Sequence, residues 1–475
     1  MAKKKHKILA YGDSPTTATG FATVMRNLLR EIHATGEFDI DILGINYYEG
    51  YYDREEYPYR IVPAMKVGER DFYGRERLIY MLMGQDKHIL PPWDIFFSLQ
   101  DPFVIEEIAR ILGNVRDVCA DPTFNDGVVQ VGHQRIKLDG IDPEMAFKWV
   151  GYWPVDSELK QNWVQDSMLL SDFPVAYTEY GKAEIEKHNY DPTTFERLRE
   201  IDVIPHGVNL TDFYPINKDE KKKFRELYFE GKVKDTDFLI VNISRNQPRK
   251  DVSRTMAIFK EFQKTTPNAK LYLHMKKVDA GGNLEEIARS LGLKLNEDYF
   301  VPANFDENQG VSLDTLNKIY NMADVCITST LGEGWGFILT EAMAAKSTIL
   351  APNNTSVPEI LGEGERGYIY GAGTTTSEFF CMGSTDNERL RPLGNVDSAV
   401  EQLQHIYKNP TEALKKKEKG YQYVQTLSWK KVAEKWFKVF EKALKEKADS
   451  LYSPVQPQKE NILEKAIIQT QNANV

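Results

Sequence analysis

The sequence predicts an α/β protein with parallel sheets, and three observations lead to that class. Short apolar runs rich in β-branched residues, such as residues 323–330, are typical of buried parallel strands. Such runs are followed by turns that carry glycine and then by stretches with helical apolar spacing. This order of strand, turn and helix returns along a chain of 475 residues, which is long enough for two or three domains.

The composition indicates a globular protein, with 41% hydrophobic and 27% charged residues. The formal net charge of −10 argues against a general affinity for nucleic acid or anionic membranes. Cys119, Cys326 and Cys381 are too scattered for a disulfide framework or a zinc site. Because the chain also lacks a secretory leader pattern and an apolar run of about 18 residues, we expect a cytoplasmic protein without integral membrane association.

The first half of the chain alternates between strand and helix patterns. Residues 47–91, rich in Tyr, Arg and Glu, are expected to form an excursion at the edge of a cleft. The predicted elements are strands at 8–12, 38–45, 93–99, 147–152 and 173–178, helices at 21–32 and 103–112, a hairpin over 115–131 with its turn at 125–127, and a helix that includes Leu159, Trp163 and Leu169.

The second half repeats the alternation and ends in a strongly amphipathic helix. Its predicted elements are helices at 218–228, from 251, at 313–322, 337–345, 396–407 and 410–424, strands at 238–244, 270–275, 323–330 and 348–352, and a last helix with an apolar stripe of Trp429, Val432, Trp436, Phe440 and Leu444.

Two glutamates stand eight residues apart in the glycine-rich turn and helix that follow the strand at 323–330. Gly334 and Gly336 remove side chains, so that backbone N–H groups can approach an oxygen-rich ligand. The helix start behind them favours negative charge. Glu333 can accept hydrogen bonds from sugar hydroxyls, and Glu341 from a ribose. A lone glutamate at either position would more often be a solvated residue, so the interpretation depends on the spacing of the pair.

That spacing, within Gly-Glu-Gly-Trp-Gly-Phe and Glu-Ala-Met-Ala, resembles the donor-site signature of family-four retaining glycosyltransferases (glycosyl transferases group 1), a type also found in phages. The resemblance implies the GT-B fold, in which two doubly wound Rossmann-like domains face each other across a cleft and the last helix crosses back to the N-terminal domain. It implies an acceptor-binding domain at 1–205, a nucleotide-sugar-binding domain at 206–425, a crossing helix at 426–450 and a flexible tail at 451–475.

The resemblance also implies a donor site and an acceptor side. Arg245 and Lys250, five residues apart, match a pair that contacts the donor diphosphate, where fixed cations stabilise the charge of the leaving group; Arg249 is an additional cation. Asp156 ends a strand where the family often has a histidine, and a helix N-cap is an equally compatible role for it. The predicted catalytic set is Glu333, Lys250, Arg245 and Asp156; the donor set is Gly20, Arg245, Lys250, Asn304, Glu333, Gly334, Trp335, Gly336, Phe337 and Glu341; the acceptor set is Asp13, Ser14, Thr19 and Asp156.

The implied activity is metal-independent, retaining transfer of a sugar from a nucleotide-sugar co-substrate, without a cofactor, to a hydroxyl of a carbohydrate or other glycan. Two alternatives stay open. Aromatic and basic residues interleaved in 47–91 would suit a phage-type enzyme that modifies hydroxymethylated DNA bases. A nucleotide-sugar-binding protein without catalytic activity could share the same fold.

Overall fold

A computed structural model describes residues 5–65, 68, 70–86, 91–138, 142–303, 305, 310–381 and 387–452. The first half of the chain forms a parallel sheet with helices packed against it. Its strands are β1 (His6–Asp13), β2 (Phe38–Ile45), β3 (Arg60–Pro63), β4 (Ile95–Leu99), β5 (Val128–Val131), β6 (Gln134–Lys137), β7 (Lys148–Trp153), β8 (Phe173–Ala176) and β9 (Asp202–Val203). Its helices are α1 (Gly20–Ala34), α2 (Arg75–Leu82), α3 (Pro102–Ala120), α4 (Gln161–Gln165) and α5 (Glu179–Glu186).

The strand order in this sheet is β3-β2-β1-β4-β7-β8-β9, and the strands pair in parallel. The order reverses direction between β1 and β4. In open α/β sheets, ligands bind in the crevice at the carboxyl ends of the strands beside such a reversal. Asp13, the last residue of β1, and Asp101, two residues beyond β4, therefore lie at the mouth of this crevice.

A second parallel sheet is built from residues 238–370. The strands of the second half are β10 (Phe238–Ile243), β11 (Ala269–His274), β12 (Val278–Asp279), β13 (Gly282–Asn283), β14 (Tyr299–Phe300), β15 (Val325–Ile327), β16 (Ile349–Pro352), β17 (Tyr368–Tyr370), β18 (Phe379–Cys381) and β19 (Leu390–Pro392). The helices are α6 (Lys218–Tyr228), α7 (Val252–Gln263), α8 (Leu284–Ser290), α9 (Leu313–Met322), α10 (Phe337–Ala344), α11 (Val357–Leu361), α12 (Val396–Lys408), α13 (Pro410–Val424) and α14 (Trp429–Tyr452).

The order of the second sheet is β14-β11-β10-β15-β16-β17, with a reversal between β10 and β15. The loop after β10 carries Arg245, Arg249 and Lys250, and the turn after β15 carries Glu333. Both stretches singled out as the donor site thus leave the sheet beside its switch point.

Both sheets are covered on two faces. Successive side chains of a strand point to opposite sides of its sheet, and in both sheets the two sets are buried in different clusters. Ile8 and Ala10 of β1 belong to one buried cluster, whereas Leu9 and Tyr11 belong to another. In β10, Val241 packs in the cluster that contains Ile8, while Ile240 packs in a third. The doubly wound architecture expected from the sequence is confirmed.

The last helix, α14, packs on the first sheet, as the fold prediction requires. Trp436 contacts Phe97 of β4 edge to face with ring centroids 5.3 Å apart, and Phe440 contacts Phe38 of β2. Lys447 forms an ion pair with Asp94, with Nζ 2.6 Å from Oδ1. The helix runs to Tyr452, two residues beyond its expected end, and residues 453–475 of the predicted tail lie outside the described residues.

The hairpin predicted in the first half was wrong. The proposed hairpin over 115–131 begins inside α3, which continues to Ala120, and the real hairpin joins β5 to β6 around Gly132. Residues 125–127 do form a turn with positive φ, but it precedes the hairpin. The predicted excursion at 47–91 contributes the edge strand β3 and the helix α2.

Among the described residues, none of the helices is both long enough and apolar enough to cross a membrane.

Candidate active site

A cavity of about 1200 Å³ lies between the two switch points and is lined by both halves of the chain. It collects most of the predicted site residues, although they come from separate loops. Those that line it are Asp13, Thr19, Gly20, Asp156, Arg245, Lys250, Glu333, Gly334, Trp335, Gly336, Phe337 and Glu341.

One predicted residue that the structure describes is not part of this lining. Ser14 is fully buried and its Oγ lies 2.8 Å from Oγ1 of Thr16 in the loop after β1, and the acceptor-side role predicted for it stays a prediction. Asn304, predicted to contact the donor, lies outside the described residues.

Lys250 and Glu333 form the central ion pair, with Nζ 2.5 Å from Oε1 and side chains that are 16% and 9% exposed. Burial alone would raise the pKa of Glu333, but the charges of Lys250 and Arg249 outweigh it and hold that pKa below its usual value. Burial lowers the pKa of Lys250, and Glu333 opposes that shift. The carboxylate is therefore ionised and held next to a cation at the carboxyl ends of β10 and β15.

A second group of charges crosses the cleft. Arg249 Nε lies 3.3 Å from Asp156 Oδ2, and its Nη1 lies 3.6 Å from Glu333 Oε2. Arg391, in β19, lies with Nη1 3.1 Å from Asp156 Oδ1 and also donates to the backbone carbonyl of Asp156. Burial alone would raise the pKa of Asp156, but the two guanidinium groups hold it below its usual value. Asp156 from the first half thus fastens two arginines of the second.

The alternative role of Asp156 as a helix N-cap is wrong. The next helix, α4, begins at Gln161, and its N-cap position is Lys160. The long helix predicted around Leu159 and Leu169 is broken into α4 and a short 3₁₀ turn. Residues 154–160, which precede α4, form a loop that contributes Pro154, Asp156, Ser157 and Leu159 to the cavity lining.

The glycine-rich turn is shaped by close packing against the first half. A Cβ on Gly332 would lie 2.1 Å from the backbone oxygen of Asp156, so a side chain is excluded there. Gly336 has φ of +84° and occupies the N-cap position of α10, which directs the free N–H groups of that helix toward the cavity. A Cβ on Gly20 would lie 3.8 Å from the ring of Phe337, so the loop after β1 reaches the donor motif.

Glu341 and Arg245 stand at the rim of the donor half. Glu341 Oε2 accepts a hydrogen bond from the hydroxyl of Tyr320 at 2.7 Å, and burial raises the pKa of Glu341 to about 7. The Arg245 side chain is 56% exposed, with Nη2 3.7 Å from Asp279 Oδ2. It can therefore meet a ligand at the entrance with little cost in desolvation.

Two further carboxyl groups lie on the wall formed by the first half. Asp13 is 7% exposed, and its Oδ2 accepts a hydrogen bond from Thr19 Oγ1 at 2.5 Å; burial raises its pKa. Asp101 makes no ion pair and no side-chain hydrogen bond within the described residues. Burial, followed by the nearby charge of Asp156, raises the pKa of Asp101 to about 7.

His206 is a neutral part of the aromatic floor. Burial lowers its pKa to about 3, and Nδ1 lies 2.7 Å from the hydroxyl of Tyr152. Its ring stacks on Phe337 with centroids 5.3 Å apart and an interplanar angle of 14°. The imidazole of His206 thus connects the segment between the two sheets with the start of α10.

Sequence reasoning missed three site features. Asp101 lies two residues beyond a predicted strand, which is the kind of position that identified Asp156, so it could have been found. Arg391 comes from a segment without periodicity and carried no such signal. Glu359, in a short helix after β16, accepts hydrogen bonds from the backbone N–H groups of Glu179 and Tyr180 at 3.1 Å and joins the two halves at the start of α5.

The fold and the cleft together define a GT-B protein, and solved structures agree. Sucrose-phosphate synthase from Thermosynechococcus elongatus superposes with a TM-score of 0.67 at 13% identity, covering 93% of this chain and 100% of that chain. HepE of Anabaena, crystallised with UDP-glucose, superposes with a TM-score of 0.60 at 10% identity, covering 92% of this chain and 99% of that chain. At these identities the likeness concerns the fold.

Residues 223–377 match the family model described as glycosyl transferases group 1. A putative glycosyltransferase of Bacillus subtilis (strain 168), EpsD, is 28% identical over 177 residues, which are 36% of this chain and 41% of that protein. The chain matches about two fifths of the length of its curated relatives.

Proposed function

We propose that the chain is a retaining, metal-independent glycosyltransferase that uses a nucleotide sugar. The observation that carries this proposal is the buried pair of Lys250 and Glu333 at the switch point of the second sheet, 2.5 Å apart. A lysine supplies charge for a diphosphate, and an ionised carboxylate accepts hydrogen bonds from sugar hydroxyls. HepE, which shares the fold, was crystallised with UDP-glucose, which supports this class of donor.

The charges on the donor half suit a nucleoside diphosphate sugar. Arg245, Arg249, Lys250, Arg389 and Arg391 line the cavity, and Asp156 and Glu333 pair with three of them. Fixed cations of this kind attract the donor and stabilise the departing nucleoside diphosphate, which gains charge as the glycosidic bond breaks.

The reaction exchanges one bond at the anomeric carbon for another. The bond from C1 to the β-phosphate oxygen breaks, and the acceptor oxygen forms its bond to C1 on the same face, so the configuration is retained. The acceptor proton passes to the departing phosphate oxygen. Glu333 orients the sugar, Lys250 and Arg245 hold the phosphates, and Glu341 holds the ribose; Arg249 is kept in place by Asp156.

We also place the passage between the two domains near His206. Its support is the contact of the next residues with the end of the chain: the N–H of Val208 donates to the carbonyl of Leu427 at 2.7 Å. Gly207 packs on Trp429, where a Cβ would lie 2.4 Å from the indole. The passage is thus secured against the start of α14.

The proposal is tested by offering the protein a panel of UDP-, GDP- and ADP-sugars and following product formation by mass spectrometry. Binding of a nucleoside diphosphate and slow hydrolysis of one donor are expected without any acceptor. Binding of nucleotides without hydrolysis or transfer under any condition would favour the non-catalytic alternative.

Chelation should leave activity unchanged. Because Arg245, Arg249, Lys250 and Arg391 supply the charge that a divalent cation supplies elsewhere, we expect turnover in EDTA within about twofold of the untreated enzyme. The measurement is donor hydrolysis after dialysis against EDTA. Loss of activity that magnesium or manganese restores would contradict the electrostatic account.

Donor affinity should depend on pH through Glu341. Its pKa of about 7 means that the carboxylate, which accepts ribose hydroxyl bonds, is mostly protonated at pH 6 and mostly ionised at pH 8. We expect the dissociation constant of the nucleotide sugar to fall by up to about tenfold over that interval. Calorimetric titration at both pH values checks this, and Glu341→Gln should flatten the profile. Equal slopes in both proteins would contradict the ribose assignment.

Three of the basic residues that motivated the DNA alternative are engaged in structural contacts. Arg77 is 8% exposed and its Nε lies 3.1 Å from Asp86 Oδ2. Arg75 Nη1 lies 2.6 Å from Glu107 Oε2, and Arg54 donates to the carbonyl of Tyr59 at 3.0 Å. Since direct phosphate contacts dominate affinity for nucleic acids, these contacts favour the carbohydrate acceptor as the first candidate.

A further inference from the structure

We propose that the first-half wall of the cavity selects an uncharged, polyhydroxylated acceptor and disfavours phosphate-bearing ones, with Asp13 and Asp101 as the residues that set this preference. The proposal deepens the proposed function and rests on it, because it concerns the second substrate of the same cavity.

The basic side chains that line the cavity all lie on one of its two walls, where Glu333 and Glu341 accompany them. Among the described lining residues, the first half contributes Asp13, Asp101 and Asp156 and no lysine or arginine. The basic residues all come from the second half of the chain: Arg245, Arg249, Lys250, Arg389 and Arg391. A donor diphosphate therefore has its cations on one wall, while an acceptor on the other wall meets carboxylates.

The carboxylates of that wall are not equivalent. Asp156 is paired with Arg249 and Arg391 and is therefore neutralised. Asp13 accepts from the hydroxyl of Thr19, which is a neutral partner, and Asp101 has no partner within the described residues. Asp13 and Asp101 are thus free to accept hydrogen bonds from an acceptor. Burial raises the pKa values of both groups, and the charge of Arg249 offsets the shift of Asp101 only in part.

Three exposed aromatic rings line the same part of the cavity. Tyr48 is 57% exposed, Phe72 40% and Phe103 37%. Large apolar side chains left open in a cavity are typical of a ligand surface, where flat rings pack and a few polar groups orient the ligand. Sugars and nucleobases can both use such rings. The charges therefore decide between them.

Carboxylates distinguish the two classes of acceptor clearly. A sugar hydroxyl donates a hydrogen bond to a carboxylate, and such charge-assisted bonds are strong. A phosphate oxygen only accepts, so at pH 8, where Asp101 with its pKa of about 7 is mostly ionised, it meets a carboxylate with repulsion that is large in a partly buried site. A nucleic acid would bring a phosphate at every nucleotide to this wall.

Arg389 is the cation that would support the opposite conclusion. Its guanidinium carbon lies 5.9 Å from the ring centroid of Trp163, which also lines the cavity. An anionic acceptor that used this arginine would keep its preference in the absence of Asp13 and Asp101. Selection by Asp13 and Asp101 and selection by Arg389 therefore predict different effects of substituting these residues.

The experiment uses the full chain with the donor found active in the nucleotide-sugar panel. Glucose, glucosamine and glucose 6-phosphate are compared as acceptor probes, together with duplex DNA that contains hydroxymethylcytosine. We expect kcat/KM for glucose and glucosamine to exceed that for glucose 6-phosphate by about tenfold or more. In the double variant Asp13→Asn, Asp101→Asn this ratio should fall by about tenfold, whereas Asp126→Asn, the same change in an exposed turn outside the cavity, should leave it unaltered.

A ratio of rate constants cancels a general loss of activity, and Asp101→Asn alone serves if the double variant folds poorly. Preferred transfer to glucose 6-phosphate or to DNA, reduced by Arg389→Gln, would overturn the inference while leaving the proposed function intact. Failure to bind any nucleoside diphosphate or to hydrolyse any donor would overturn the proposed function and the inference with it. If the ratio of kcat/KM for glucose to that for glucose 6-phosphate is unchanged in the double variant, Asp13 and Asp101 do not cause the preference.

Discussion

Replacing Lys250 by methionine or Glu333 by glutamine should lower turnover by about 10²-fold or more, the scale of losing one preorganised charged group in a transition state. Both changes keep the shape of the side chain and remove its charge. Lys250→Met takes a cation from the departing diphosphate, and Glu333→Gln takes the anionic acceptor from the sugar hydroxyls. Donor hydrolysis and transfer rates measure the effect.

The structure also predicts the effect on stability. Because the two side chains are only 16% and 9% exposed, a single change leaves the partner charge buried, which costs more than the pair itself contributes. We expect each single variant to unfold at a lower temperature and the double variant Lys250→Met, Glu333→Gln to recover part of the loss. The double variant should nonetheless remain inactive.

A matched control is available on the surface of α7. Lys264 and Glu261 form a pair with Nζ 2.6 Å from Oε2, but their side chains are 61% and 44% exposed. Lys264→Met and Glu261→Gln should change stability by less than about 1 kcal/mol and leave turnover unaltered. Near-normal turnover in both Lys250→Met and Glu333→Gln would show that the donor site was assigned wrongly.

The donor half of the site could be predicted from the sequence because its parts are local. A β-branched run, a glycine turn and a helix are read from consecutive residues, and parallel strands bring their carboxyl ends to one edge. Arg245 and Lys250 after β10 and Glu333 after β15 therefore converge without any knowledge of distant contacts. The strands at 8–12 and 38–45 were recognised by the same logic.

What the sequence did not reveal depends on contacts between distant segments. Arg391 meets Asp156 across 235 positions of the chain, and Glu359 meets the start of α5 across 180. Neither partner has a periodic pattern that marks it. The hairpin was misplaced because the turn residues at 125–127 outweighed the helix formers that carry α3 to Ala120. A local turn signal locates a reversal, but it does not say which strands lie on either side.

The contacts across the cleft also hold the walls of the cavity together. Asp156 ties the loop after β7 to Arg249 and Arg391, and Glu359 adds its hydrogen bonds to the N-terminus of α5. A carboxylate at a helix start is favoured by the free N–H groups there. These contacts hold the two halves of the chain together around the cavity.

Asp156→Ala should lower turnover by about 10²-fold while the binding of free nucleoside diphosphate becomes tighter. Without this carboxylate, Arg249 and Arg391 lose the group that orients them, and a small displacement of a catalytic cation costs rate steeply. The donor wall also gains one net positive charge, which strengthens the ground-state attraction for an anion. A fall in kcat with a fall in the dissociation constant of the nucleotide is therefore the expected signature.

The same variant should lose about 2 kcal/mol of unfolding free energy at neutral pH, between the values for exposed and for fully buried pairs, since Asp156 is 31% exposed and Arg391 4%. Because the pKa of Asp156 lies below its unfolded value, this contribution is present above about pH 4 and disappears as the pH falls through the folded pKa. Denaturant unfolding at pH 7 and pH 3 should therefore show a difference between wild type and variant that narrows in acid. Asp166→Ala, which removes a carboxylate paired 2.9 Å from the exposed Arg110, should change neither kcat nor nucleotide binding. A wild-type kcat in Asp156→Ala would show that the arginines hold their positions without it and that the pairs across the cleft only join the two halves.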